Sequence, residues 1–145
     1  MSLTHLQEAT GTVTLGLSGT TPADVVAVAR HDAYVVLADE ARAHVEEVRQ
    51  YVHSLAESDT PVYGISTGFG ALATRHIPQE QRTQLQKSLI RSHAAGMGPA
   101  VERDVVRALM FLRAKTLASG RTGVRPVVVR DNGCSAQCRH HPSGA

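Results

Sequence analysis

Tyr63, His93 and a run of closely spaced glycines are the residues of this 145-residue chain whose types and spacing could do chemistry. Tyr63 opens a loop that places Gly64, Gly68 and Gly70 within the next seven residues, and glycines at that density let backbone approach a ligand closely. A phenol ionises near about pH 10, so a tyrosine base working at neutral pH needs positive charge or hydrogen-bond donors around it. The spacing G-x-x-x-G-x-G is neither G-x-G-x-x-G nor a cradle ending in Gly-Lys-Ser/Thr, so no dinucleotide or phosphate site is expected. The alternative is a surface loop whose tyrosine ring packs on a neighbour.

His93 follows Ser92 and precedes Ala94, Ala95 and Gly96, near the end of an expected helix. Its imidazole could handle a proton or hold a substrate, or could serve only the helix C-terminus. His31, His44 and His53 lack a Cys or carboxylate set at metal-ligand spacing and read as surface positions, so no metal site is expected. Two further groups invite a reading. Cys134, Cys138, His140 and His141 could form a small metal site, but the spacing is crowded and no hydrophobic support surrounds it. Ala118-Ser119-Gly120 reads as a helix end capped by glycine.

The elements that must position these residues follow from pattern. Thr12 to Leu17 alternates as a short edge strand stopped by Gly16, Ser18 and Gly19. Thr21, Pro22 and Asp24 start a helix running to about Arg30: a hydroxyl cap, a proline where its missing N–H costs nothing, and an acid in the first turn. Val35 to Leu37 is a second extended piece. Asp39 begins a longer helix with an apolar stripe of Ala43, Val45, Val48, Val52 and Leu55. From Asp59 to His76 periodicity vanishes. Pro78 restarts a helix through Leu85, Leu89 and Ile90 to Ala95, with Gly96 in the left-handed cap position. Another runs from about Val101 through Val105, Leu109, Leu112 and Leu117 to Gly120. Beyond Val129 neither helical nor alternating pattern is found.

The length suits one domain. With 15 basic against 13 acidic side chains scattered along the chain and a formal net charge of +2, no electrostatic footprint for nucleic acid or anionic lipid is present. No apolar run reaches the length that spans a bilayer, and the start lacks a basic region followed by an apolar one, so a cytoplasmic location is expected. The cysteine count of 2 offers no disulfide framework.

Four segments carry a resemblance: Tyr63-Gly-Ile-Ser-Thr-Gly-Phe-Gly70, Ser88-Leu-Ile-Arg-Ser-His-Ala-Ala-Gly96, Leu112-Arg-Ala-Lys-Thr-Leu-Ala-Ser-Gly120 and Gly123-Val-Arg-Pro126. In this order and spacing they resemble the N-terminal portion of the aromatic amino acid ammonia-lyases, from about Thr12 to Val129, and the histidine-acting branch in particular. The resemblance implies a mainly α fold, with a short β element and a Gly-rich lid loop, and elimination of ammonia from L-histidine to give trans-urocanate. The proton to be removed is barely acidic and ammonia leaves poorly. The family therefore builds an electrophile, a methylidene-imidazolone, by cyclisation of three consecutive residues, usually Ala-Ser-Gly, and a lid-loop tyrosine acts as general base.

Tyr63 occupies that tyrosine's position, and His93 that of the histidine associated with the substrate imidazole or with proton handling. Ser92-His93 favours histidine as substrate over tyrosine or phenylalanine. Ser66 stands where many relatives have Asn, and Gly64, Gly68 and Gly70 would let the loop close over the substrate. A tyrosine ammonia-lyase or aminomutase of the same family, or a non-catalytic helical module, are the alternatives.

The resemblance also implies what to expect of the rest. The cofactor-forming tripeptide should lie downstream of Pro126, with none in this chain. Residues 1–129 read as the N-terminal part of the lyase domain and 130–145 as a frameshifted, unstructured tail. Compatible codons for that tail, read one base later, spell Ala-Thr-Met-Ala-Ala-Pro-Leu-Asn-Ala-Gly-Ile-Thr-Pro-Val-Val, similar to the family's next segment. Complete relatives form homotetramers whose sites draw on several subunits. This chain alone is therefore expected to be inactive, with apolar stripes left exposed.

Overall fold

The computed structural model describes residues 11–135. In chain order these form β1 (Thr12–Leu15), α1 (Pro22–His31), β2 (Tyr34–Leu37), α2 (Asp39–Glu57), a 3-10 turn (Gly70–Leu72), α3 (Gln79–His93), α4 (Arg103–Ala118) and α5 (Pro126–Ser135). The fold is mainly helical, as expected. The described residues divide into two compact units: Arg49–Ala100 is one, and the described residues before and after it make the other.

In the discontinuous unit, β1 and β2 pair in parallel, with Thr12 opposite Tyr34 and Leu15 opposite Leu37, and α1 is the crossover that parallel pairing requires. The strand stops at Leu15, earlier than the pattern suggested. Beyond it the Gly16 and Ser18 carbonyls accept hydrogen bonds from Lys115 Nζ, the former at 2.8 Å. The start of α1 is a capping box. The Asp24 N–H donates to Thr21 Oγ1 at 3.2 Å, while Asp24 Oδ2 accepts from the Thr21 N–H and hydroxyl at 2.8 Å each. The Thr21 backbone N–H, then its hydroxyl, hold the Asp24 carboxyl below its ordinary pKa.

The other end of α1 is held by α4. Arg107 is 3% exposed. Its NH2 donates to Val28 O at 2.6 Å and its Nε to Val28 O and Ala29 O at 3.1 and 3.3 Å. These are last-turn carbonyls that a helix leaves unsatisfied and partly negative. The same guanidinium pairs with Asp32 at 3.0 Å, and Arg103 reaches Asp32 at 2.6 Å. Asp32 sits at φ 55, a left-handed position that aspartate tolerates better than most residues. Burial pushes the Arg107 pKa down and Asp32 pulls it back up. Arg107 NH1 is buried without a hydrogen-bond partner among the described residues.

Around this clamp lies a core of Leu15, Val28, Val45, Phe111, Leu117 and Val129, with alanines at 33, 114 and 118. The face α4 buries shares Leu117 with the expected pattern and otherwise differs from it. Phe111, Ala114 and Ala118 point inward with Arg107, while Val105, Leu109 and Leu112 are exposed. A hydrophobicity pattern cannot register an arginine as a core residue, so it misses this face except at Leu117. The stripe of α2 holds at Val45, which is buried, and at Val48, Val52 and Leu55, which are half-buried, while Ala43 is exposed and Ala41 is buried in its place.

A further difference lies beyond Pro126. α5 runs to Ser135, so residues 130–135 are helical rather than unstructured. Pro126 is favourable at a helix start, and buried Val129 with partly buried Val128 docks the helix on the core. Gly133 faces Val35, where an added Cβ would lie 3.2 Å from Cγ1. Cys134 falls within α5, and Cys138, His140 and His141 lie outside the described residues.

α4 ends in a glycine stop: Gly120 has φ +70 and its N–H donates to Leu117 O at 3.2 Å. An added Cβ there would meet His44 Cδ2 at 2.4 Å. Gly120→Ala therefore carries left-handed strain of about 1–2 kcal/mol plus a clash, and in a His44→Ala background only the strain should remain. Arg107→Ala should cost about 2–3 kcal/mol, because charge-assisted bonds are lost and carbonyls are left buried. Urea unfolding of the variants measures both.

Candidate functional site

The unit Arg49–Ala100 contains the second half of α2, the Gly-rich loop and α3, and therefore both Tyr63 and His93. A loop with so few side chains must satisfy its own backbone. Ile65 and Ser66 N–H groups donate to Val62 O at 3.1 and 3.0 Å. The Val62 N–H donates to Ser66 Oγ at 2.9 Å and the Gly64 N–H to Thr67 Oγ1 at 3.3 Å. Thr67 pairs with His76 in an antiparallel bridge, flanked by Ile77 N–H to Ser66 O at 2.9 Å and Gly68 N–H to Arg75 O at 3.2 Å. Arg82 of α3 ties this assembly to its neighbours, donating through Nε to Ile77 O at 3.0 Å and through NH1 to Ala56 O, in the last turn of α2, at 2.9 Å. The expected lid loop is thus internally bonded.

Tyr63 is 65% exposed. Its ring meets Phe69 edge-on, with centroids 6.2 Å apart and planes at 79°, so ring packing and exposure coexist. Among the described residues its hydroxyl has no hydrogen-bond partner, which leaves the oxygen's lone pairs available to a proton donor. Gly64 and Gly70 take φ of +73° and +55°. Gly68 is required by space, since an added Cβ would lie 2.5 Å from Leu72 Cβ and 3.1 Å from Leu72 O.

His93 is the last residue of α3 and exposed. The backbone leaves the helix at Ala94 (φ −79, ψ 64), and Gly96 does not take the expected left-handed cap conformation. His93 Nδ1 lies 2.9 Å from Leu89 O and 3.0 Å from Ser92 Oγ, whose hydroxyl donates to Leu89 O at 2.8 Å. A carbonyl only accepts, so the neutral imidazole carries its proton on Nδ1 and turns the Nε2 lone pair outward. No hydrogen bond or ion pair joins His93 to Tyr63 among the described residues. Neither lines an open cleft of about 340 Å³ in this unit, lined by Leu72, Ile77, Gln81, Gln84, Leu85 and Ser88.

Ala118-Ser119-Gly120 does not fit an electrophile precursor. Ala118 is fully buried inside α4. Ser119 is the helical C-cap, its hydroxyl donating to Thr116 O at 2.7 Å. The Gly120 nitrogen, which would have to attack the Ala118 carbonyl carbon, directs its N–H to Leu117 O. His44 pairs with Glu47 and His53 with Glu57, at 3.6 and 3.5 Å, and the described residues contain no cluster of metal-ligating side chains. What the motif does not disclose is the role of two hydroxyls, those of Ser66 and Thr67, which stand three to four residues after the N–H groups they receive.

A model of the aromatic amino acid lyase family matches residues 20–132. The chain is 63% identical over 119 residues to a histidine ammonia-lyase of Streptomyces griseus, covering 82% of this chain and 23% of that protein. It is 47% identical over 116 residues to a histidine ammonia-lyase of Treponema denticola, covering 80% and 23%. Among solved structures it is similar to tyrosine aminomutase from Streptomyces globisporus, with a TM-score of 0.81 and 31% identity over 87% of this chain and 24% of that one. The chain spans about a quarter of the length of these relatives.

The loop geometry generates a contrast between two glycines. Gly68→Ala should force Leu72 away and loosen the loop, costing about 1–3 kcal/mol as overpacking does, whereas Gly70→Ala meets nothing within 4 Å and should cost only the strain of its positive φ. Limited proteolysis within residues 62–77 distinguishes them: cleavage should accelerate strongly in the first variant and slightly in the second.

Proposed function

Because the chain belongs to the aromatic amino acid lyase family, we propose that it carries the proton-accepting loop and the imidazole-binding helix end of a histidine ammonia-lyase, a cytoplasmic homotetramer when complete. The observation that carries this reading is 63% identity to the Streptomyces griseus histidine ammonia-lyase over 82% of the chain. In the reaction, the C–H bond beside the imidazole breaks and its electron pair becomes the new C=C bond of trans-urocanate. The C–N bond breaks and the amine departs as ammonia. Tyr63 Oη, as phenolate, takes the proton. His93 Nε2 accepts a hydrogen bond from the substrate imidazole N–H, which orients the ring for that transfer.

The family's methylidene-imidazolone makes the amine a better leaving group, and it must come from polypeptide outside this chain. Residues such as Ile90, Met97 and Val101, exposed here, are surfaces for the remaining enzyme and its partner subunits to cover. The similarity to a tyrosine aminomutase at a TM-score of 0.81 favours, as a second reading, a tyrosine-acting member of the same family. A non-catalytic helical module would work on neither amino acid.

The test is a chimera in which residues 12–129 replace the matching segment of the Streptomyces griseus enzyme, assayed with L-histidine and L-tyrosine. The chain alone should release no urocanate. The chimera should convert histidine in preference to tyrosine, and Tyr63→Phe should lower kcat by about 10²–10⁴-fold, the range of a lost general base. Preference for tyrosine would replace the first reading by the second. Silence toward both, in a folded tetramer, would leave the module.

A further inference from the structure

Resting on the reading of Tyr63 as the base, we infer that Ser66 and Thr67 are positioning residues that pin the backbone on both sides of it. The two N–H groups flanking Tyr63 belong to Val62 and Gly64. Each is taken by a hydroxyl from the same loop, Ser66 Oγ at 2.9 Å and Thr67 Oγ1 at 3.3 Å. Both hydroxyl-bearing residues are buried, at 0% and 4% exposure, whereas the tyrosine between their targets stands out into solvent.

Ser66 holds Val62 twice, accepting from its N–H through the side chain and donating to its carbonyl through the backbone at 3.0 Å. Thr67 holds Gly64 while its own hydroxyl proton goes to Gly68 O at 3.1 Å. A threonine hydroxyl has one proton and two lone pairs, so both contacts can be made together. The pair is anchored in turn by the bridge to His76 and by the Ile77 N–H to Ser66 O bond.

The consequence is a base set in advance on a fixed stretch of backbone. A loop of this glycine content would otherwise sample many conformations, and Tyr63 would reach its substrate only in a fraction of them. With both flanking peptides tied, only the tyrosine side-chain torsions remain to be settled, and Phe69 limits those from one side. Proximity of this kind acts on kcat rather than on binding.

The test uses Ser66→Ala, Thr67→Val and the hydroxyl-retaining Thr67→Ser in the full chain, with amide hydrogen exchange followed by NMR. Exchange should accelerate about fivefold to tenfold at Val62 in the first and at Gly64 in the second, as expected for losing one hydrogen bond. Amides of α3 should be unchanged and Thr67→Ser should behave as the parent. In the chimera, Ser66→Ala and Thr67→Val should lower kcat by about 10-fold to 100-fold with KM little altered, and Thr67→Ser should restore it. Unchanged exchange at Val62 and Gly64 overturns the inference. So does acceleration spread equally through α3, which would make the hydroxyls general supports of the unit, and so does a kcat that survives local loosening. A chimera inactive from the outset would count against the lyase reading alone, because the exchange arm still decides whether the backbone is pinned.

Discussion

A glycine-rich loop can present a reactive side chain only if its peptide groups find partners, and here those partners are built into the loop itself. Val62, Gly64 and Gly68 direct their N–H groups to Ser66 Oγ, Thr67 Oγ1 and Arg75 O. Arg82 then fastens the return strand through Ile77 O and reaches the end of α2 through Ala56 O. Each bond is modest by itself, but together they turn a segment of high conformational freedom into a support with one exposed phenol. The catalytic reading of Tyr63 depends on that conversion, because a base must be in place before its pKa or its chemistry matters.

The other unit solves the corresponding problem at a helix end. Arg107 spends its charge on the Val28 and Ala29 carbonyls and on Asp32, so a guanidinium stands where a hydrophobic residue would be anticipated. Burying it is costly unless its donors are met, and most of them are. What this achieves is register: α4 is fixed along α1, Phe111 falls into the core, and Val105, Leu109 and Leu112 are turned outward. The result is an exposed apolar row on an otherwise well-packed helix.

Local chemistry was readable from the sequence where a single residue decides the outcome. Thr21, Pro22 and Asp24 announce the start of α1, and Gly120 announces the end of α4, because caps are written in residue types. The face of α4 was not readable, since its key contact is an arginine. α5 was missed because one short valine run carries it and the docking surface is remote in sequence. At the candidate site, Tyr63 and His93 stood out through their motifs. Ser66 and Thr67 did not, because a hydroxyl that receives an N–H three or four residues away looks in sequence like any loop serine or threonine. The orientation of the His93 ring depends likewise on the Leu89 carbonyl, which no residue letter encodes.

Under the proposed function, the proton acceptor and the imidazole acceptor belong to this chain and the electrophile to polypeptide outside it. Intact-mass spectrometry of the purified chain tests that division most directly. Cyclisation of an Ala-Ser-Gly segment onto its own carbonyl, followed by dehydration of the serine, removes two water molecules. The expected result is the mass of the unmodified chain. A species lighter by two waters, with the loss mapped by peptide digestion to Ala118, Ser119 and Gly120, would contradict it.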